Sequence, residues 1–116
     1  MTKHCLRIRV RIMNSEISAL GPGKAELLEN IIESGSISGA AKVMGMSYRR
    51  AWTLVAEMNS AFSSPLVDAA VGGKGGGGAE ITPLGRDMLQ AYRNLEQAIQ
   101  QVADARFGQF KRHLKK

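Results

Sequence analysis

Cysteine and histidine are scarce in this chain of 116 residues. Cys5 is the only cysteine, so the chain can form no internal disulfide and no thiolate cluster for zinc. The two histidines, His4 and His113, stand at opposite ends, and no Ser, His and acidic residues are spaced as a catalytic triad. We therefore predict no enzyme activity, no catalytic residues and no metal or cofactor.

Long apolar runs are also missing. The opening MTKHCLRIRVRI lacks the apolar segment of a signal peptide, and no stretch approaches the roughly 20 apolar residues of a membrane span. The sequence thus predicts a protein of the reducing cytoplasm that has no membrane partner.

Acidic residues are too few to balance the basic ones. Ten Asp and Glu stand against sixteen Lys and Arg, which gives a net charge of +6. This excess favours nucleic acid as a partner, although a basic protein without such a partner remains an alternative. The length corresponds to about one domain, which we place over residues 1–116.

The N-terminal third contains a strand pattern followed by a helix pattern. LRIRVRI, residues 6–12, alternates apolar residues with arginines and predicts a half-buried strand, and EISAL is the candidate for its hairpin partner. GPGKAELLENIIESG predicts a helix that begins at Pro22 and ends before Gly35, with its apolar stripe on Leu27, Leu28, Ile31 and Ile32. GPGKAE is not a phosphate loop, because it lacks the first glycine and the Ser or Thr after Lys24.

Two further helices follow at close spacing. Ser36 is suited to cap the helix ISGAAKVM, and Ser47 is suited to cap YRRAWTLVAEMNSAF. Gly45 can take the left-handed conformation that a tight turn between helices needs. This is the spacing of a helix-turn-helix, in which the start of the second helix enters the DNA major groove.

The remaining chain predicts a hairpin and one long helix. LVDAAV and AEIT flank GGKGGGG, which suggests a wing with a flexible tip, although a loop without contacts is the alternative. Thr82 and Pro83 begin a helix over residues 83–107 that would be about 37 Å long, and residues 108–116 form a basic tail. Its apolar heptad stripe favours a homodimer, with packing on its own domain as the alternative. The stripe comprises Leu84, Met88, Ala91, Leu95, Ala98 and Val102.

Residues suited to bind DNA cluster at the predicted helix starts and at the wing tip. Arg49 and Arg50 suit guanine, and their position in a first turn, where cations are disfavoured, points to an external anion. Trp52 lies one position off the apolar stripe, which suits either the rim of the core or a wall near the DNA backbone, and we favour the core. The full predicted set is Ser36, Ser38, Ser47, Tyr48, Arg49, Arg50, Thr53, Gly73, Lys74 and Gly75.

The segments GSISGAAKVMGMSYRRAW, EMN, LV and GGKGGGGAEITPLGR together closely resemble the DNA-binding domain of the ModE molybdate-responsive regulators, and more loosely the LysR-type winged helix. The resemblance runs from about Gly23 to Leu95. It implies a mainly α fold with small β-hairpins, namely a winged helix-turn-helix whose long C-terminal helix dimerises. It also implies a transcriptional regulator that binds double-stranded DNA at a palindromic operator.

One departure from the ModE pattern concerns the sensor. Regulators of this type carry molybdate-binding domains after the long helix, at the position where this sequence ends. We expect a stand-alone form that takes any signal from a separate sensor protein, with a fragment of a longer protein as the alternative. Two further alternatives are a nonspecific nucleoid-type DNA-binding protein and a protein-interaction adaptor.

Overall fold

A computed structural model describes residues 3–69 and 78–116. It confirms the expected fold class, a mainly helical chain with two small antiparallel hairpins. The elements in chain order are β1 (Ile12–Asn14), β2 (Ile17–Leu20), α1 (Pro22–Ser34), α2 (Ile37–Met44), α3 (Tyr48–Ala61), β3 (Val67–Asp68), β4 (Glu80–Ile81) and α4 (Pro83–Lys111). Strand β1 pairs with β2, and β3 pairs with β4.

The N-terminal segment, residues 3–11, differs from the strand that the alternating pattern predicts. Only Ile12 of the predicted strand belongs to β1, and the residues before it pair with no strand in the described chain. The segment instead follows α4, since His4 Nε2 donates to Lys115 O (2.7 Å) and Tyr92 Oη donates to Val10 O (2.7 Å). The alternation in burial is nevertheless present, because the apolar side chains are half-buried and the arginines are exposed.

Helix α1 has the bounds that its sequence predicts. Pro22 stands at its start, and Gly35 ends it with φ of 76°, where a side chain would be strained. Leu27, Leu28 and Ile31 are fully buried, as expected, whereas Ile32 is 38% exposed. Ile32 lies about 100° around the helix from Ile31, which places it beyond the edge of the buried stripe.

The helix-turn-helix is confirmed in its local details. Ser36 Oγ accepts a hydrogen bond from Gly39 N (2.9 Å) at the start of α2, and Ser47 Oγ accepts one from Arg50 N (3.0 Å) at the start of α3. Gly45 takes the left-handed conformation, with φ of 68°, in the turn between them. Both caps and the turn are therefore determined by short-range sequence.

One hydrophobic core joins α1, α2, α3 and the start of α4. Small residues lie where the helices approach each other, with Ala40 and Ala51 fully buried. The largest fully buried side chains are Leu20, Leu27, Leu28, Ile31, Met58, Leu66, Val55 and Val67.

Asn59 fastens the base of the wing to α3. Its Oδ1 accepts from Leu66 N (2.9 Å) and Val67 N (3.1 Å), and its Nδ2 donates to Val67 O (3.1 Å). The side chain thus pairs with backbone that would otherwise lack partners, which accounts for the asparagine in the EMN segment.

The start of α4 is held against β3 by two residues. Thr82 Oγ1 accepts from Gly85 N (3.0 Å) as a cap and donates to Pro65 O (2.8 Å). Gly85 is needed for packing, because a Cβ there would lie 2.3 Å from Leu66 O. The close approach brings the long helix onto the core.

Helix α4 ends at Lys111, four residues beyond the predicted end at 107. Gly108 alone does not stop it, since an interior glycine costs a helix only about 1 kcal/mol. Arg93 ties the helix to α1, donating to Glu29 through Nε (3.0 Å) and Nη2 (2.8 Å), and it also contacts Glu96 (2.6 Å). The hydrogen bonds to Glu29 hold the pKa of Arg93 above its ordinary value. None of the helices in residues 3–69 and 78–116 combines the length and the apolar character that a membrane span requires.

Candidate nucleic-acid interface

The first turn of α3 presents three side chains to solvent. Tyr48, Arg49 and Arg50 are all exposed, and the turn holds no acidic residue. Helix N-termini carry partial positive charge, so two arginines there gain nothing from the helix itself. The arrangement is suited to an external polyanion, as the sequence predicts.

Thr53 lies one turn further along α3 and is exposed. Its Oγ1 donates to Arg49 O (3.1 Å), so the hydroxyl already has a partner within the helix. What Thr53 offers to a ligand is therefore chiefly its methyl group, which suits the thymine methyl.

The expectation that Trp52 lies in the core is wrong. Trp52 is 37% exposed and meets Tyr48 edge to face, with ring centroids 6.2 Å apart and ring planes at 81°. The core side of α3 is occupied by Ala51 and Val55, which are fully buried. Trp52 is turned about 100° from Ala51 and so joins the exposed aromatic pair at the start of the helix.

The start of α2 contributes two serines. Ser36 is half-buried and uses its Oγ as the cap, whereas Ser38 in the following turn is exposed. Val43, on the last turn of α2, is 70% exposed. Sequence reasoning did not single out Val43, because it lies inside an apolar pattern that looks like a buried face.

Three predicted DNA-binding residues, Gly73, Lys74 and Gly75, lie outside the described residues. The base of the wing is described, and Ala79 N donates to Gly35 O (3.0 Å) in the turn between α1 and α2. The wing base is thus fastened to the three-helix core on one side and to Asn59 on the other.

The predicted dimerisation stripe divides into two parts. Leu84 and Met88 pack, partly buried, against the core of the chain itself. The remaining four residues are exposed, and Val102 is 60% exposed. A shallow apolar groove of about 380 Å³ lies in this part, lined by Ala98, Ile99, Val102 and Ala103. The exposed residues of the stripe are Ala91, Leu95, Ala98 and Val102.

Among the described residues, no three His, Cys, Asp or Glu side chains are grouped so that they could hold a metal ion. The candidate interface consists of basic, aromatic and hydroxyl side chains at the starts of α2 and α3.

Comparison with known proteins shows related chains. The chain is 46% identical over 83 residues to the DNA-binding transcriptional dual regulator ModE of Escherichia coli, an alignment of 72% of this chain and 32% of that protein. It is 44% identical over 80 residues to the molybdenum-pterin-binding protein MopB of Rhodobacter capsulatus, covering 69% of this chain and 30% of that protein. The molybdenum transport protein ModE of Azotobacter vinelandii is 41% identical over 87 residues, which cover 75% of this chain and 32% of that protein. No protein-family model matches the chain.

Among solved structures, a LysR family transcriptional regulator matches with a TM-score of 0.61 at 19% identity, over 88% of this chain and 32% of that one. This likeness shows a shared fold. The chain spans about a third of the length of the curated relatives that it matches. Over those residues the chain is a homologue of the ModE and Mop proteins, and it has the winged helix-turn-helix fold of a LysR-type regulator.

Proposed function

We propose that this protein is a sequence-specific transcriptional regulator of the ModE type that binds double-stranded DNA. The observation that carries the proposal is the first turn of α3, the second helix of the helix-turn-helix, where Tyr48, Arg49 and Arg50 are exposed. The relatives named as regulators support the same conclusion.

In the proposed complex, α3 enters the major groove and its side chains contact base edges. Arg49 pairs with the two acceptors of guanine, Tyr48 contacts a phosphate or a base edge, and the methyl of Thr53 meets thymine. The helix starts and the wing hold the DNA backbone. The residues that we assign to this second role are Ser36, Ser38, Ser47, Arg50, Gly73, Lys74 and Gly75.

We also propose that the regulator acts as a homodimer on a palindromic operator. The exposed apolar part of α4 supports this proposal, because it extends beyond the core that buries Leu84 and Met88. Two-fold symmetry then places the recognition helices about 34 Å apart, or a multiple of that distance.

The names of several relatives mention molybdenum. We propose that residues 1–116 bind the operator without sensing molybdate, and that a separate sensor protein delivers any molybdate signal.

The test is a fluorescence anisotropy titration against DNA from upstream of the protein's own gene and against scrambled DNA. It is run at two salt concentrations, with and without molybdate. A preference of about a thousandfold for one segment is expected. Equal, salt-steep binding to both DNAs would favour a nonspecific nucleoid-type protein, and no binding to either would favour an adaptor. An effect of molybdate on the purified chain would contradict the separate sensor.

Arg49→Ala tests whether the sequence preference depends on the proposed recognition helix, α3. The variant should lose about 1 to 3 kcal/mol on the preferred DNA and discriminate less between sequences. Arg112→Ala, at the far end of α4, removes the same charge and should bind nearly as the wild type does. Equal losses for Arg49→Ala on preferred and scrambled DNA would mean that Arg49 contacts only phosphate.

A further inference from the structure

A cleft of about 470 Å³ opens between the N-terminal segment, the start of α1 and one side of α3. Of the predicted DNA-binding residues, Arg50 alone lines it. The cleft is therefore a feature of the chain that the proposed base contacts do not use.

Three arginines from two distant parts of the sequence line this cleft. Arg9 and Arg11 come from the N-terminal segment, and Arg50 comes from the first turn of α3. Within the described residues none of these guanidinium groups has a hydrogen-bond or ion-pair partner. Three cations around one cleft make its electrostatic potential positive, which favours the binding of an anion.

The carboxylates at the cleft do not neutralise it. Glu57 is engaged by the buried Lys24, whose Nζ lies 2.9 Å from Glu57 Oε1 and also donates to Ser18 O. Glu16 is the other carboxylate in the lining. Arg9, Arg11 and Arg50 thus carry three positive charges, against the single carboxylate of Glu16 that is not paired with Lys24.

The inner wall of the cleft offers further donors. Ser18 Oγ is buried and has no hydrogen-bond partner among the described residues, which is costly for a hydroxyl. Gly21 begins α1 without a side-chain cap, and the N–H groups of Gly23 and Lys24 precede the first helical hydrogen bond, from Ala25 N to Gly21 O.

Arg11 and Ser18 each place a donor close to Gly21, at the start of α1. The position that a Cβ of Gly21 would occupy lies 3.6 Å from Arg11 Nη1 and 3.7 Å from Ser18 Oγ. A guanidinium group, an unpaired hydroxyl and an uncapped helix start therefore face the same small space, with no side chain of Gly21 in it.

We propose that this cleft binds an oxyanion of the phosphate type. The guanidinium groups of Arg9, Arg11 and Arg50 supply the charge, Ser18 Oγ donates a hydrogen bond, and the free N–H groups at the start of α1 complete the site. Because Arg50 belongs to the first turn of α3, a backbone phosphate beside the proposed major-groove contact is one source of the ligand. Free phosphate is the other source, and only the DNA source rests on the proposed function.

The first experiment titrates inorganic phosphate into the full chain at constant ionic strength and follows the backbone amides by NMR. Saturable shifts are expected at Ser18, Gly21 and Gly23. Arg11→Ala should weaken the binding at least about tenfold, because it removes a charge-assisted hydrogen bond. Arg7→Ala is the matched control, since Arg7 lies four residues before Arg11 on the same segment and does not line the cleft.

Ser18→Ala separates a binding role from a structural one. The hydroxyl has no partner to lose, so the variant should unfold at the temperature of the wild type or above it. It should also show a smaller increase in melting temperature on addition of phosphate. Phosphate that causes no saturable shift, or that binds Arg11→Ala and Arg7→Ala equally, would overturn the proposal.

The second experiment identifies the source by measuring DNA affinity against salt. If Arg11→Ala lowers the slope of log affinity against log salt by about one unit while Arg7→Ala does not, a DNA phosphate occupies the cleft. An unchanged slope, in a variant that still shows the weakened binding of inorganic phosphate, would assign the cleft to a free oxyanion. Loss of sequence preference in Arg49→Ala, which tests the proposed function, leaves the phosphate titration unaffected.

Discussion

The three-helix core and the C-terminal half of α4 contain similar apolar side chains in opposite environments. Leu28 in α1 is fully buried, whereas Leu95 and Val102 in α4 are 38% and 60% exposed. The apolar side chains of the core are buried by other residues of the same chain. The apolar side chains of the exposed part of α4 remain exposed within the described chain. Apolar residues of the same kind thus stabilise the fold in one region and are available for association in the other.

A matched pair of substitutions tests this contrast most strongly. Leu28→Ala should lower the free energy of unfolding by about 2 to 5 kcal/mol, because it opens a cavity in the core. Leu95→Ala should change it by less than about 1 kcal/mol when measured by urea titration at a concentration where the chain is monomeric. Comparable losses in the two variants would show that this part of α4 belongs to the folding core.

Asn59→Ala tests whether the wing base is fastened by one side chain. It removes three hydrogen bonds to Leu66 and Val67 and should cost about 1 to 3 kcal/mol in urea unfolding. Asn94→Ala is the control, because Asn94 is exposed on α4 and only accepts a bond from Gln90. A loss no larger than that of the control would mean that water replaces the Asn59 contacts.

Val102→Glu tests the exposed region directly. A carboxylate in the apolar groove should weaken the proposed dimer at least tenfold, about 1.4 kcal/mol, with little effect on monomer unfolding. Sedimentation over a range of concentrations measures the dissociation constant. Gln101→Glu adds the same charge one position away and should have a smaller effect. A dimer unaffected by Val102→Glu would place the interface elsewhere.

Tyr92→Phe gives the smallest effect, at the boundary between the two regions. It removes the bond from Tyr92 Oη to Val10 O and should cost about 1 kcal/mol. Burial, and then the carboxylate of Glu96, raise the pKa of Tyr92 above its ordinary value. As the pH rises, the phenol therefore loses its proton in the unfolded chain before it does so in the folded chain. The contribution of Tyr92 to the free energy of unfolding is complete below about pH 10 and declines as pH rises through the raised pKa.

The difference in unfolding free energy between wild type and Tyr92→Phe, measured from pH 8 to pH 11, isolates this decline. The gap should narrow above about pH 10. A constant gap would mean that the phenol does not titrate differently in the folded chain.

Local features of the fold were predicted from sequence with their residues. The caps at Ser36, Ser47 and Thr82 and the left-handed conformation of Gly45 depend on neighbours within four positions, and all are confirmed. The exposed first turn of α3 followed from the same local pattern. Its contact with DNA stays a prediction, as does the role of Gly73, Lys74 and Gly75.

Other features depend on partners that are distant in the chain. The alternation of residues 6–12 predicts a two-faced segment correctly, but a strand also needs an adjacent strand, and this segment lies along α4 instead. Trp52 is exposed beside Tyr48, whereas Ala51 and Val55 occupy the core side of α3. The role of Asn59 required knowing that residues 66 and 67 lie beside it.

The sequence by itself determined the helix-turn-helix, because its caps, turn and apolar spacing act through contacts between near neighbours. Only the tertiary structure decided which part of α4 is buried and which arginines share a cleft with Ser18. Those outcomes depend on how segments that are distant along the chain pack together. The apolar periodicity of a sequence indicates which face of an element is buried, but not which segment covers it.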